Sequence, residues 1–311
     1  MHRIKLTLIL MIVFLSNIYS QSLTDSSIAM IAFWSINDEA TYEFKQVEKK
    51  LKKGKKTIKT TNYDLIMTIA DSTKDSYSIL WEYQNYKFDY ELEPIQKDLM
   101  EICRDIPILY KTDELGAFQA IENWEVMKNF ANEAFTKFLS AKKDLPDSAR
   151  IKLKNMLLGM FESQQQVNYW AKDLKFFHYL YGVNLSRTIP FEGVKGYSNP
   201  FIKTIMPGSQ RIEVIAVDEK NWIAQIKVTS GIDGDKAKNL MLDFMKQNME
   251  RLGIKDESEI KEEDLPNYSI TEEHDYIYDI LTGYILKGSY SKLTKIDTDY
   301  KLTTYEYQLK D

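Results

Sequence analysis

Apolar and polar residues alternate with a period of two along the first third of the chain. Tyr42 and Phe44 alternate with Glu43 and Lys45, while Tyr63, Leu65, Met67 and Ile69 alternate with Asp64, Ile66 and Thr68. Tyr77, Ile79, Trp81 and Tyr83 repeat the pattern. Successive side chains of a strand point to opposite faces, so each run predicts a strand with one face toward a core. The lysine-rich run 49–56, with Gly54 at its turn, joins the first two as a hairpin tip, and residues 71–75 make the next turn. A short helix opening at Pro94 carries Ile95, Leu99, Ile102 and Cys103 on its apolar face, and two short strands, 106–110 and 117–121, follow it.

The period then changes to that of a helix. Met127, Phe130, Ala131, Ala134, Phe135 and Phe138 recur at helical spacing, with Asn123 placed to cap the start. Pro146 breaks the chain, and Asp147 or Ser148 can cap a second helix whose stripe is Leu153, Met156, Leu157, Met160 and Phe161. A third helix carries Val167, Trp170, Ala171, Leu174 and Phe177, with Gly182 placed to end it.

Period two returns in the last third. Ile212, Val214 and Ala216 turn through 218–221 into Trp222, Ala224, Ile226 and Val228. A helix with Ala237, Leu240, Met241 and Phe244 comes next, then an acidic loop over 255–264. A meander closes the chain, with turns at Thr282-Gly283 and at 297–299. Tight turns rather than crossover helices separate the strands, so the class is α+β with a largely antiparallel sheet. The hairpins, helix, hairpins order has a loose two-fold rhythm. Residues 21–311 read as a single domain; a subdivision would fall near 186–209, where Pro190, Pro200 and Pro207 cluster, although that stretch serves equally as a connection inside one domain.

The N-terminus changes the picture. His2, Arg3 and Lys5 precede an apolar run over 6–15 and a short polar region ending in Ser20, the three parts of a signal peptide over 1–20 with cleavage before Gln21. The apolar run is too short to span a bilayer core of about 30 Å. No later segment is a transmembrane candidate, so the mature chain is expected in the periplasm or outside the cell. Cleavage removes two basic residues and no acid, taking the net charge from −5 to −7. An acidic chain of this kind is not expected to bind nucleic acid.

The signal peptide ending Tyr19-Ser20-Gln21 resembles those of exported Bacteroidota proteins. The aromatic strands, the Gly116-Ala117-Phe118 strand running into Asn123-Trp124 and a helix, and the Asp279-Ile280-Leu281-Thr282-Gly283 turn resemble uncharacterised exported families of that group. The closing strand-turn-Gly-strand meander is also similar to lipoprotein-carrier proteins of the LolA/LolB kind. That resemblance implies a curved, largely antiparallel sheet packed around a central helical layer, with an apolar cavity. It carries no active-site residue across.

Chemistry-bearing motifs are sparse. The single cysteine, Cys103, cannot form an internal disulfide and reads as a packed thiol; as a nucleophile it lacks an assignable base. After cleavage two histidines remain. His178 continues an apolar stripe, and His274 stands in Glu272-Glu273-His274-Asp275, where alternation separates neighbours onto opposite faces and a charged edge is expected rather than a metal site. Gly-x-Ser-x-Gly, phosphate-binding and His/Cys metal signatures are missing from the sequence, and Asp233 reads as a helix cap rather than a calcium ligand. No catalytic residue, metal or cofactor is assigned.

Two features remain. Lys49, Lys50, Lys52, Lys53, Lys55 and Lys56 form either a solvated hairpin tip or a contact for anionic headgroups or glycans. The Tyr-rich strands read first as core, and would also suit a wall for an apolar ligand. The reading is an exported non-catalytic protein binding a lipid, another apolar or amphipathic ligand, or an envelope partner. A carboxylate-dependent hydrolase and a purely structural envelope component are the alternatives.

Overall fold

The computed structural model describes residues 23–93, 97, 106–141, 146–170, 172–198, 205–249, 256 and 265–310. The signal peptide, the helix bearing Ile95, Leu99, Ile102 and Cys103, Ala171, and the acidic loop apart from Asp256 lie outside them. The strands are β1 Ser27–Ala29, β2 Glu39–Lys52, β3 Lys55–Thr73, β4 Ser76–Phe88, β5 Ile108–Asp113 and β6 Phe118–Ile121, then β7 Asn184–Ser186, β8 Phe191–Ser198, β9 Ile205–Asp218 and β10 Ile223–Ile232, and finally β11 Tyr268–Asp279, β12 Ile285–Ile296 and β13 Asp299–Leu309. The helices are α1 Trp124–Ala141, α2 Asp147–Leu158, α3 Gln164–Trp170, α4 Lys172–Phe177 and α5 Gly234–Gln247, with a 3-10 turn Gly159–Phe161 after α2.

Two antiparallel meanders make one sheet of eleven strands in the order β6-β5-β4-β3-β2-β13-β12-β11-β10-β9-β8. They meet where β13 pairs with β2, Tyr307 opposite Phe44. The short β1 and β7 pair with each other. The alternation read from sequence is met in the first meander: Tyr63, Leu65, Met67 and Ile69 are buried on one face of β3, and Ile79 and Trp81 on the same face of β4. In β9 a bulge breaks it, so that Val217 rather than Ala216 follows Val214 on the inner face, opposite Ala224, and Ala216 is exposed.

The sheet bends around the segment that follows α4. His178 Nε2 lies 2.7 Å from the Tyr110 hydroxyl on β5, and the next residue, Tyr179, accepts a hydrogen bond from Gln210 on β9. In the strand order β5 and β9 are eight steps apart. At about 4.8 Å per step a flat sheet would hold them ~38 Å apart. Neighbouring Cα atoms about 3.8 Å apart cannot bridge that distance. The sheet therefore curls, and Phe176, Phe177, Leu180 and Tyr181 fill its concave side against Tyr42, Phe44, Trp81, Tyr276 and Tyr307.

The helices depart from the expected central layer. Among the described residues, six-residue α4 and the turn after it occupy the middle, with Met127 of α1 and Val167 of α3 reaching the same core; α1 and α2 pack on each other through Ala131, Phe135 and Leu157. Helix α5 lies over one end, its Ala237 and Met241 against Tyr197, Met206, Ile232, Tyr268 and Ile270. Two caps also differ. Asn123 spends its side chain on the Leu109 N–H and the Pro107 carbonyl, tying α1 to β5, and Pro146 stands at the start of α2 while Asp147 pairs with Arg150. Asp233 does cap α5, accepting from the Lys236 N–H at 2.7 Å. Within the stretch 186–209, residues 191–198 and 205–209 belong to paired strands of the main sheet.

Candidate functional site

Strand register sorts the concave face into rows of graded polarity. One row runs Ile226, Tyr276, Gly288, Tyr307, Phe44 and Tyr63 across β10, β11, β12, β13, β2 and β3. Two residues along each strand the row becomes Val228, His274, Tyr290, Tyr305, Gln46 and Thr61. Two further on it is Ser230, Glu272, Lys292, Thr303, Glu48 and Lys59. Apolar aromatic, mixed and charged rows thus follow one another toward the lysine-rich hairpin. Tyr83, Tyr86, Phe88, Tyr290 and Tyr305 on this face are half-buried; Tyr83 meets Tyr63 edge to face, and the others stack on Tyr63, Phe176 or each other.

Glu272 is the centre of the charged row. It is 4% exposed, and its two oxygens lie 2.6 Å from Lys195 Nζ and 2.7 Å from Lys292 Nζ. The Tyr290 hydroxyl approaches the same carboxylate at 3.3 Å, and the Tyr197 hydroxyl donates to Ser230 Oγ at 2.8 Å. Burial alone would raise the Glu272 pKa, but the bonds from Lys195 and Lys292 outweigh it and bring it to about 2. Both ammonium groups also lie over the Tyr197 ring, at 5.8 and 6.0 Å. Gly208 permits this: a Cβ there would stand 2.5 Å from both the Tyr197 ring and the Gly231 carbonyl, so only glycine lets Tyr197 cross β9 toward Ser230. Two lysines on one carboxylate leave the cluster with one positive charge in excess.

His274 adjoins this cluster, stacked on Tyr179 and 4.5 Å from the Tyr290 ring centroid. Its tautomer follows from its partner. The Tyr276 hydroxyl donates its one proton to the Phe176 carbonyl at 2.7 Å, so its oxygen accepts from His274 Nδ1–H at 3.1 Å. Nε2 is then a bare acceptor on the other side of the ring, and it has no partner among the described residues. Burial, reinforced by Lys195, lowers the His274 pKa to about 3 against the opposing pull of Glu272, so the ring is neutral. His178 has the same tautomer for the same kind of reason: Nδ1 donates to the Gly116 carbonyl at 2.8 Å, and Nε2 accepts from Tyr110. It is a packed, fully bonded core histidine. Burial lowers its pKa to about 4.

A second, half-buried carboxylate, Asp173 on α4, accepts from the Tyr83 hydroxyl and from the Leu174 N–H. Burial raises its pKa despite those bonds.

The six lysines of the hairpin are not gathered on a loop. Lys49, Lys50 and Lys52 belong to β2 and Lys55 and Lys56 to β3, and only Lys53 and Gly54 form the turn, both with positive φ, as a two-residue hairpin turn of right twist requires. Alternation divides them: Lys50, Lys52 and Lys55 share the concave parity of Phe44 and Tyr63, and Lys49 and Lys56 have the opposite parity. The Lys53 N–H donates to Asp299, fastening the tip to the neighbouring turn.

Glu272, Lys195, Lys292 and Tyr197 carry no sequence motif and are met only in the fold. The charged-edge reading of 272–275 is corrected, because β11 lies inside the sheet between β10 and β12, with Glu272 and His274 buried and Glu273 exposed. The available signal was Glu-x-His at strand spacing, two titratable groups on one face.

Among the described residues no group of three His, Cys, Asp or Glu could hold a metal ion, and no helix is long and apolar enough to cross a membrane. No protein-family model and no curated protein matches the chain. Among solved structures, lipovitellin, in work on its lipid–protein interactions, is similar over 89% of this chain at 10% identity and a TM-score of 0.42; the match spans 25% of the lipovitellin chain. An outer-membrane channel from Pseudomonas putida F1 is similar over 90% of this chain and 98% of its own, at 8% identity and a TM-score of 0.16. Neither score is high enough to assign a fold or a function from the likeness.

Proposed function

We propose that this is an exported, non-catalytic protein that binds an amphipathic ligand on the concave face of its sheet. The observation that carries the reading is the gradient of polarity on that face. On β12 the half-buried Tyr290 stands two residues from Lys292, and Tyr305 flanks Tyr290 on β13. On β11 Tyr276 and His274 stand four and two residues from the buried Glu272 that Lys195 and Lys292 engage. Tyrosine offers an apolar body and a polar tip, which suits a wall meeting both parts of such a molecule. The curl of the antiparallel sheet around α4 and its turn supports a ligand face on the concave side. The lysine hairpin, continuous with the charged row, would face anionic envelope material.

Glu272 favours binding over hydrolysis. Glycoside hydrolysis needs two carboxyl groups about 5–9.5 Å apart, one of them a proton donor. Glu272 is held ionised with both oxygens engaged by lysines, so it is no proton donor; Asp173, whose pKa burial raises, is the carboxylate on which the alternative hydrolase reading would rest.

The test is native mass spectrometry of the protein recovered from outside the cytoplasm of its own host, with N-terminal sequencing of the same sample. A chain starting at or near Gln21 that carries an extractable amphiphile is expected. A ligand-free chain that also fails to take up 1-decanol in vitro would overturn the binding reading, and an intact Met1 chain in the cytosol would overturn export.

A further inference from the structure

We propose that Lys195, Glu272, Lys292 and His274 form a head-group site for a singly charged anion that carries a hydroxyl beside its charge. This rests on the amphiphile reading above and names the head chemistry. Two independent observations support it, one of charge and one of hydrogen bonding.

The charge observation is the excess of one. Each lysine ammonium has three N–H donors and spends one on a Glu272 oxygen at 2.6 or 2.7 Å. Glu272 can neutralise only one of the two cations it holds. A bound monoanion balances the cluster, and a dianion or a cation does not. Both lysines remain partly open, with 26% and 40% of their side-chain surface exposed, so their remaining donors are reachable. The other charges near His274 and the cluster are few: Asp275 and Glu273 sit on the opposite parity of β11, and Glu48 on the charged row is already paired with Lys301.

The hydrogen-bonding observation is His274 Nε2. It belongs to a side chain 3% exposed, it is an acceptor because Nδ1 holds the proton, and no described residue donates to it. A bare anion gives it nothing, since an anion only accepts. A hydroxyl next to the anionic group supplies the donor while the lysines take the charge. His274 and Glu272 are two residues apart on one face of β11, the spacing of adjacent parts of one small head group.

The experiment is calorimetric titration of the full chain at pH 7 with 3-hydroxydecanoate, decanoate, 1-decanol and decyltrimethylammonium, plus 3-hydroxybutyrate as the head without the chain. The expected order is 3-hydroxydecanoate, then decanoate about 5-fold weaker, then 1-decanol and the cation weaker by a further factor of about 10. His274→Phe should erase the hydroxyl preference, so that 3-hydroxydecanoate and decanoate bind alike. Lys292→Gln should lower the preference for decanoate over decanol about 10-fold. Because removing both lysines would strand a buried carboxylate, the second variant is the triple change Lys195→Gln, Glu272→Gln and Lys292→Gln, which leaves no unpaired charge and should lose the preference for decanoate over decanol altogether. Equal binding of decanol and decanoate, or a hydroxyl preference that survives His274→Phe, overturns the head-group site while the amphiphile reading stands. Failure of every ten-carbon probe overturns the amphiphile reading itself. Binding of 3-hydroxybutyrate as tight as that of 3-hydroxydecanoate, and lost in His274→Phe, supports the head site but assigns it to a soluble hydroxy acid.

Discussion

The concave face holds two buried histidines that differ in one hydrogen bond. His178 sits in the closed end, ringed by Trp34, Trp81, Tyr110 and Tyr181, with a donor for its acceptor nitrogen and an acceptor for its N–H. His274 sits where the aromatic rows give way to charge, with its N–H satisfied and its acceptor nitrogen unsatisfied. Both are neutral and both are buried. Burial therefore does not separate these two histidines, whereas completeness of hydrogen bonding does. Trp34, Tyr42, Trp81 and Tyr307 also bury a polar atom in the core without a partner among the described residues. The bare nitrogen of His274 points to a site because it stands beside the Glu272 cluster. Fully paired buried polar groups lock a core, and an unpaired one calls for a specific explanation.

Acid should affect the two alike. Each histidine has a native pKa below the ordinary 6.5, about 4 for His178 and about 3 for His274. Between pH 6.5 and about 4 the unfolded chain binds protons that the native chain refuses, so stability falls as pH falls through that window. From pH 7 to pH 5 the loss is about 2 kcal/mol per histidine, or ~4 kcal/mol for the pair. Glu272, with its native pKa near 2 against an ordinary 4.5, adds to the loss below pH 4.5. Urea unfolding at pH 7 and pH 5 measures this, and either His→Phe variant should show about half the wild-type slope. A flat profile would mean that neither ring is buried as described.

Substitution should separate what acid does not. His178→Phe strands two buried partners, the Tyr110 hydroxyl and the Gly116 carbonyl, and should destabilise by about 2–4 kcal/mol at pH 7. His274→Phe removes an acceptor that is already unsatisfied, and Tyr276 keeps its bond to Phe176. That change should be neutral, or stabilising by up to about 1 kcal/mol. Equal destabilisation by both would remove the distinction on which the head-group site depends.

The closed end was largely legible in the sequence, and the charged end was not. Alternation at Tyr63–Ile69 and at Ile79 and Trp81 marked the buried face directly, and the stripe through Phe177 placed His178 in the core, because those signals are local. Glu272 meets Lys195 from 77 positions away, in a stretch where the prolines suggested a connection. Charges in a strand ordinarily mean an edge, and only the long-range order that puts β11 between β10 and β12 shows otherwise. The cap at Asn123 failed for a related reason, its side chain bonding Leu109 of β5 and Pro107 just before it, whereas the cap at Asp233 depended only on its own helix and held.

The lysine hairpin extends the comparison beyond the buried rows, and its expected effect on stability is the smallest. These side chains are exposed, so changing them to Gln should shift stability by no more than about 0.5 kcal/mol. Their expected effect is on binding to anionic vesicles, and the division by face makes it directional. Lys50, Lys52 and Lys55 share the face of Lys59, Lys292 and Lys301, so they continue a cationic surface that leads into the site. Lys49 and Lys56 stand on the opposite face. Replacing the first three by Gln should weaken binding to anionic vesicles more than replacing Lys49 and Lys56. Wild-type binding should itself fade between 0.1 and 1 M salt, as the Debye length contracts from about 10 to about 3 Å. Zwitterionic vesicles should bind neither protein. Equal losses from the two sets would make the hairpin a faceless charge, attracted to the envelope but not aimed at the concave site. No loss from either would return these lysines to keeping a long hairpin soluble and unpaired at its tip.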